Sequence, residues 1–157
     1  MEIALTSKSL YCLIREEWVA ALPEEYVRQR VLNHMVNDCG FPKSLLAVEK
    51  PLRQLSHLSA AEQTLVPDRR ADIICFAKDE RITNGGIFPL LLVECKAVKL
   101  TSRVVDQVVG YNHFIRARYV MIVNQTELQM GWYDVEKKEY VFIDYLPNYK
   151  ELREEKS

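Results

Sequence analysis

The chain has 157 residues, 48% hydrophobic and 27% charged, with a formal net charge of -1. That length and balance describe one soluble globular domain, 1–157, with a single core and too little chain for two. A near-neutral charge excludes whole-molecule attraction to nucleic acid, so such binding has to come from a local basic surface.

In chain order, apolar residues at helical spacing predict two helices between Ser9 and Asp38, split at Leu22-Pro23. Leu10, Leu13, Ile14 and Trp18 mark the first, an N-terminal helical extension over 1–22. Tyr26, Val27, Val31, Leu32, Met35 and Val36 mark the second. Pro23 suits its first turn, Glu24 and Glu25 complement the macrodipole there, and Gly40 ends it. A first strand is expected from Leu45 to Val48, running on toward Pro51. The polar stretch from Leu52 to Pro67 has no assignable pattern. Arg70 to Phe76 reads as a second strand, and Asn84-Gly85 is a hairpin-turn signal because both residues tolerate positive φ. Leu90 to Val93 is the body of the third strand, a buried run ending in Glu94-Cys95-Lys96. Val104 to Arg116 has the spacing of an amphipathic helix. Tyr119 to Val123, Met130 to Val135 and Glu139 to Ile143 read as strands, with Glu136-Lys137-Lys138 as the turn between the last two. The tail 148–157 is charged and expected to be mobile, or to form a last helical turn. Helices, three strands, a crossover helix and more strands predict an α/β mixed sheet in the order αβββαβ, with flanking helices and extra C-terminal strands.

The four cysteines, Cys12, Cys39, Cys75 and Cys95, include no CxxC pair, and no apolar run approaches the roughly 20 residues that cross a bilayer. These features read as a reduced cytoplasmic protein with free structural thiols and no membrane partner. His34, His57 and His113 are isolated, and Trp18 and Trp132 read as core residues.

Glu94 and Lys96 are two apart, so on a strand they share a face, and charges beside a core need partners or a task. A hairpin centred near Thr83 sets Asp72 opposite Glu94, each eleven residues from the centre, with Cβ atoms about 5 Å apart. A one-residue slip moves one carboxylate to the other face. Two carboxylates at that separation are relieved by a divalent cation or a shared proton, and oxygen donors suit Mg²⁺ or Mn²⁺. A lysine beside them can orient a water or steady charge on phosphorus, which points to phosphodiester hydrolysis. Glu49, on the first strand, is a further acidic candidate. The bland alternative is ion pairing alone, Asp72 with Arg69 or Arg70 and Glu94 with Lys96.

Asp72 followed by Glu94-Cys95-Lys96 resembles the PD-(D/E)xK nuclease superfamily. Gln107-Val108-Val109-Gly110-Tyr111 is similar to the QxxxY motif of one branch of it, and Glu25 in Pro23-Glu24-Glu25-Tyr26 is similar to a first-helix glutamate. As a set, from Pro23 to Val135, these residues resemble the N-terminal endonuclease domain of type I restriction enzyme motor subunits. The resemblance implies a restriction-endonuclease-like fold and a Mg²⁺-dependent deoxyribonuclease of a restriction or repair system. It implies that Asp72, Glu94 and the Cys95 backbone carbonyl bind the metal, that Glu25 completes its shell, and that Lys96 acts on the water. Gln107 and Tyr111 would contact DNA or brace the site, beside Lys99 and Arg103 on a basic rim that extends to Arg116 and Arg118. Ala71 stands where the name-giving proline belongs, so Asp68 of Pro67-Asp68 is a rival aspartate. Nothing resembles the phosphate-cradling Gly-rich loop of the motor. Cutting both strands of a duplex implies a homodimer or restriction-system partner subunits. The competing expectations are a catalytically weak or inactive module for nucleic-acid or protein docking, and an RNA-directed nuclease.

Overall fold

The computed structural model describes residues 8–79, 81 and 86–154. Strands β1 (Ser9–Cys12) and β2 (Glu17–Ala20) form a two-stranded sheet where helical spacing predicts a helix. Leu13 and Ile14 complete the helical pattern only because they lie in the connecting turn, which Glu16 closes at φ 54°. The strands themselves alternate: Cys12 is buried, while Tyr11 and its partner Trp18 face outward with ring centroids 5.5 Å apart. Trp18 is therefore not a core residue; it is 69% exposed.

Helix α1 (Pro23–Asn33) begins with its proline in the first turn and buries Val27, Val31 and Leu32. It runs on through a π turn, His34–Asp38, and the chain leaves it through Gly40 at φ 71°. Strand β3 (Leu46–Pro51) follows. Between it and the next strand, α2 (Ala60–Leu65) is a short helix with a capping box, Ser59 accepting from the Glu62 N–H while the Glu62 side chain accepts from the Ser59 N–H.

Strands β4 (Arg70–Lys78) and β5 (Ile87–Cys95) form the centre, and helix α3 (Ser102–Ile115) crosses from β5 to β6 (Tyr119–Val123). Strands β7 (Leu128–Asp134) and β8 (Glu139–Ile143) complete a six-stranded sheet in sequence order, β3 to β8. All its pairs are antiparallel except β5–β6, which the α3 crossover makes parallel. The architecture is the α/β mixed sheet with flanking helices and added C-terminal strands. The Asn84-Gly85 turn lies outside the described residues.

One face of the sheet packs Ile73, Leu91, Val93 and Met121 against Val31, Leu32 and Met35; the other packs Ile74, Leu92 and Ile122 against Val108, Tyr111 and Ile115. Covered on both faces, β5 is buried from Pro89 to Cys95 and ends beside the two charged strand ends described below. Of the two expectations for the tail, the helical turn is the one found over Tyr149–Glu154, as α4, which buries Leu152. Its first N–H donates to the Cys39 carbonyl at 2.9 Å, and the Tyr149 ring meets Phe41. All four cysteines are buried free thiols. Among the described residues, no helix is long and apolar enough to cross a membrane.

Candidate functional site

Strand β4 begins where β5 ends, so Asp72, near the start of β4, comes to the end of β5. The β4–β5 register ends at the pair Ile73–Val93, one step short of Asp72 and Glu94. The ladder is not uniform, since its register shifts between Cys75 and Phe76. Asp72 Oδ2 accepts the Cys95 N–H at 2.8 Å, which fixes the aspartate to the end of β5. Glu94, 3% exposed, accepts the Tyr111 hydroxyl at 2.8 Å on Oε1 and Arg69 Nη2 at 2.9 Å on Oε2. Lys96 Nζ lies 3.0 Å from the same Oε2. Arg69 also stacks on the Tyr111 ring, 4.9 Å from its centroid. Burial first, then the charge of Glu94, pushes the Tyr111 hydroxyl well above its ordinary pKa, so it remains a donor.

Arg28 organises the α1 side. Buried at 6% exposure, it donates to Glu25 Oε1 and Asp72 Oδ1, each at 2.7 Å, and to Glu49 Oε1 at 3.3 Å. Burial opposes its charge, but Asp72 and then the other two carboxylates outweigh that and raise its pKa. The second oxygen of Glu25 accepts Arg15 at 2.8 Å and Gln29 at 2.7 Å, so both carboxylate oxygens are engaged. Arg15 comes from the turn of the β1–β2 hairpin, and its Nε also donates to Cys12 Sγ at 3.2 Å. Burial pushes the Cys12 thiol up, but the Arg15 hydrogen bonds outweigh it and leave the pKa lowered.

Glu49 sits inside β3 between the pairs Val48–Ile73 and Lys50–Ala71, which sets it opposite Asp72. Its φ of 53° is left-handed, a conformation that costs a non-glycine residue about 1–3 kcal/mol and concentrates at functional sites. The kink leaves its carboxylate facing Arg28, with Arg15 at 3.7 Å and Arg70 at 3.8 Å.

Asp72, Glu94, Lys96 and Tyr111 thus gather at one end of the sheet, and Glu25 joins through Arg28. Gln107, Lys99 and Arg103 are exposed and make no ion pair among the described residues, and Asp68 is exposed ahead of β4. The basic rim is divided: Arg116 caps the far end of α3 and pairs with Glu62, and Arg118 lies beyond it. Sequence reading placed Arg69 beside Asp72, but it serves Glu94. Arg15 and Arg28 were missed; Arg28 had a signal, since it is three residues from Glu25 on one helical face.

Asp72 and Glu94 offer hard oxygen donors, and an ionised carboxylate keeps acceptor capacity beyond two or three hydrogen bonds. That chemistry suits Mg²⁺, which takes one or two carboxylates and completes its shell with water and phosphate. Among the described residues, however, no three His, Cys, Asp or Glu side chains are grouped to hold a metal ion. A cation here would have the two carboxylates of Asp72 and Glu94 as its side-chain ligands, with Glu25 serving Arg28 in this arrangement.

A family model described as type I restriction enzyme R protein N terminus matches residues 23–147. The match opens at α1 and stops before α4, leaving out the hairpin that supplies Arg15. No curated protein and no solved structure matches the chain.

Proposed function

The chain belongs to the family of type I restriction enzyme R protein N-terminal domains, and on that premise we propose that it is the DNA-cleaving module of a restriction system, a Mg²⁺- or Mn²⁺-dependent deoxyribonuclease. The observation that carries this reading is the tie of Asp72 to the end of β5 through the Cys95 N–H at 2.8 Å, with Lys96 3.0 Å from Glu94.

Asp72, Glu94 and the Cys95 carbonyl would hold the cation. When bound, it supplies positive charge for the phosphate and lowers the pKa of a water. Lys96 is 20% exposed at its side chain, so its ammonium can turn from Glu94 to a phosphate oxygen and steady the charge that develops there. Tyr111 keeps Glu94 oriented through the exchange, and Arg28 with the Cys95 N–H does the same for Asp72. Gln107, Lys99 and Arg103 lie on the exposed approach along α3, where backbone phosphates would be met. The restriction role brings DNA and the other subunits of such a system as partners, and cleavage of both strands calls for a second copy of the site, in a homodimer or by sequential nicking.

A specific observation favours a second reading, a docking module without catalysis: Arg28, Arg69 and Lys96 already neutralise the carboxylates, with no third side-chain ligand grouped with them among the described residues. Thermal denaturation in millimolar Mn²⁺ separates the two. A rise in Tm that Asp72→Asn abolishes supports the nuclease; no rise in the wild type supports docking alone.

A further inference from the structure

Far from the carboxylates, at the opposite end of the same strands, lies a cleft of about 520 Å³ lined by Lys78, Asp79, Arg81, Phe88, Arg118 and Arg153. Among the described residues, four cations surround one carboxylate there, in a chain whose net charge is -1. That carboxylate is committed: Asp79 accepts Arg81 Nε and Nη2, each at 2.9 Å. Those Arg81 hydrogen bonds hold its pKa down to about 2, so it stays ionised and paired. Lys78, Arg118 and Arg153 have no carboxylate within ion-pair distance among the described residues.

Two of the three are placed rather than loose. The Arg118 guanidinium lies over the Phe88 ring, 4.7 Å from its centroid, and its backbone N–H donates to the Pro89 carbonyl at 3.2 Å. Arg153 donates through Nη2 to the Lys78 carbonyl at 3.2 Å and lies 5.9 Å from the Tyr149 ring centroid. A guanidinium held by stacking or by one hydrogen bond keeps its remaining N–H donors for a ligand, and its planar fork matches phosphate oxygens. Helix α4 is what brings Arg153 here.

We propose that this cleft is a second, sequence-blind phosphate-binding site, occupied by the backbone of a nucleic acid. Arg118 covers the aromatic face that a base would otherwise stack on, so the cleft reads charge and leaves base identity unread. Asp72 and Lys78 lie six residues apart on β4, which is about 20 Å at 3.3 Å per residue. The cleft is therefore a separate site from the carboxylates, at the other end of strands whose faces are covered.

The test is fluorescence anisotropy of a labelled 20-base-pair duplex against salt concentration, in EDTA so that nothing is cut. Wild type is compared with the double variant Arg118→Gln, Arg153→Gln and with Arg118→Lys, Arg153→Lys, all checked for wild-type melting. Loss of two phosphate contacts makes the slope of log K against log[salt] shallower by about 2, with weaker binding at low salt. The lysine pair keeps most of that slope. Calorimetry with inorganic pyrophosphate is the second arm. Pyrophosphate binding that the glutamine pair abolishes, with duplex binding unchanged, keeps the phosphate site and overturns its assignment to a nucleic-acid backbone. Equal salt slopes in a folded glutamine pair, together with no pyrophosphate binding, overturn the site altogether. Cleavage is not the readout, so a chain that binds here without cutting counts against the nuclease reading alone.

Discussion

Replacing Arg28 with methionine keeps most of the side-chain volume and removes the one cation that Glu25, Asp72 and Glu49 share. Arg28 and Glu25 are 7% and 9% exposed at the side chain and Asp72 is 13%, so solvent does little to screen what is lost. Removing one partner of a buried ion network leaves uncompensated charge and costs about 3–5 kcal/mol. The left-handed backbone at Glu49 then remains with its main contact gone. At about 2–4 °C per kcal/mol for a chain of this size, Tm falls by roughly 6–20 °C in a calorimetric or circular-dichroism melt. The informative comparison is the triple variant Arg28→Met, Glu25→Gln, Asp72→Asn. Neutralising the two more buried carboxylates with Arg28, and leaving the more exposed Glu49 to Arg15 and Arg70, recovers most of the lost stability and gives strongly non-additive effects. An Arg28→Met protein that melts within about 2 °C of wild type, or a triple variant no more stable than the single one, refutes the claim that Arg28 neutralises this site.

Tyr111→Phe removes the hydroxyl that donates to Glu94 at 2.8 Å and costs about 1.5–3 kcal/mol, as expected for a bond to a charged acceptor. It also changes the alkaline limb of stability. Because the folded pKa of Tyr111 is raised from 10.0, the hydroxyl's contribution is full below pH 10 and declines above it, as the unfolded chain loses a proton that the folded chain keeps. Urea denaturation from pH 8 to 11 should show a shallower decline in the variant, with the part due to Cys75, pushed up from 9.0 to about 12 by burial, remaining. Lys96→Ala should abolish plasmid cleavage while the Mn²⁺-dependent rise in Tm survives; loss of folding would make Lys96 structural. Leu152→Ala, in the docked α4, should cost about 2–5 kcal/mol in the same denaturation experiment, whereas a mobile tail would leave stability unchanged.

The central part of the fold was legible because β5 is an uninterrupted apolar run ending in Glu94 and Lys96, and only a strand covered on both faces suits such a run. Counting brought Asp72 to the end of β5, where it accepts the Cys95 N–H, although the bulge beside Cys75 means that a uniform ladder from the turn gives a different register. The hairpin was illegible because its strands are four residues each, too short to display alternation, while turn residues Leu13 and Ile14 mimic a helix. Helix α2 buries no residue, so no apolar pattern marked it, yet the Ser59 to Glu62 capping signature was present in the sequence. Tyr149 and Leu152 are the only large apolar residues of the tail, and their three-residue spacing was too slight a signal against its charge. The ion network was least legible. Arg28 meets Asp72 across 44 positions and Arg69 meets Glu94 across 25, and no local pattern encodes which arginine a folded chain brings to which carboxylate.

Cleavage of supercoiled plasmid, linear duplex and single-stranded DNA in Mg²⁺ and Mn²⁺, with Glu94→Ala purified in parallel, tests the central claim most directly. The account predicts metal-dependent cutting by the wild type that EDTA and Glu94→Ala both abolish. Equal cutting by the variant, or a folded wild type that neither cuts nor binds Mn²⁺, would contradict it and leave the domain a docking module built on the nuclease fold.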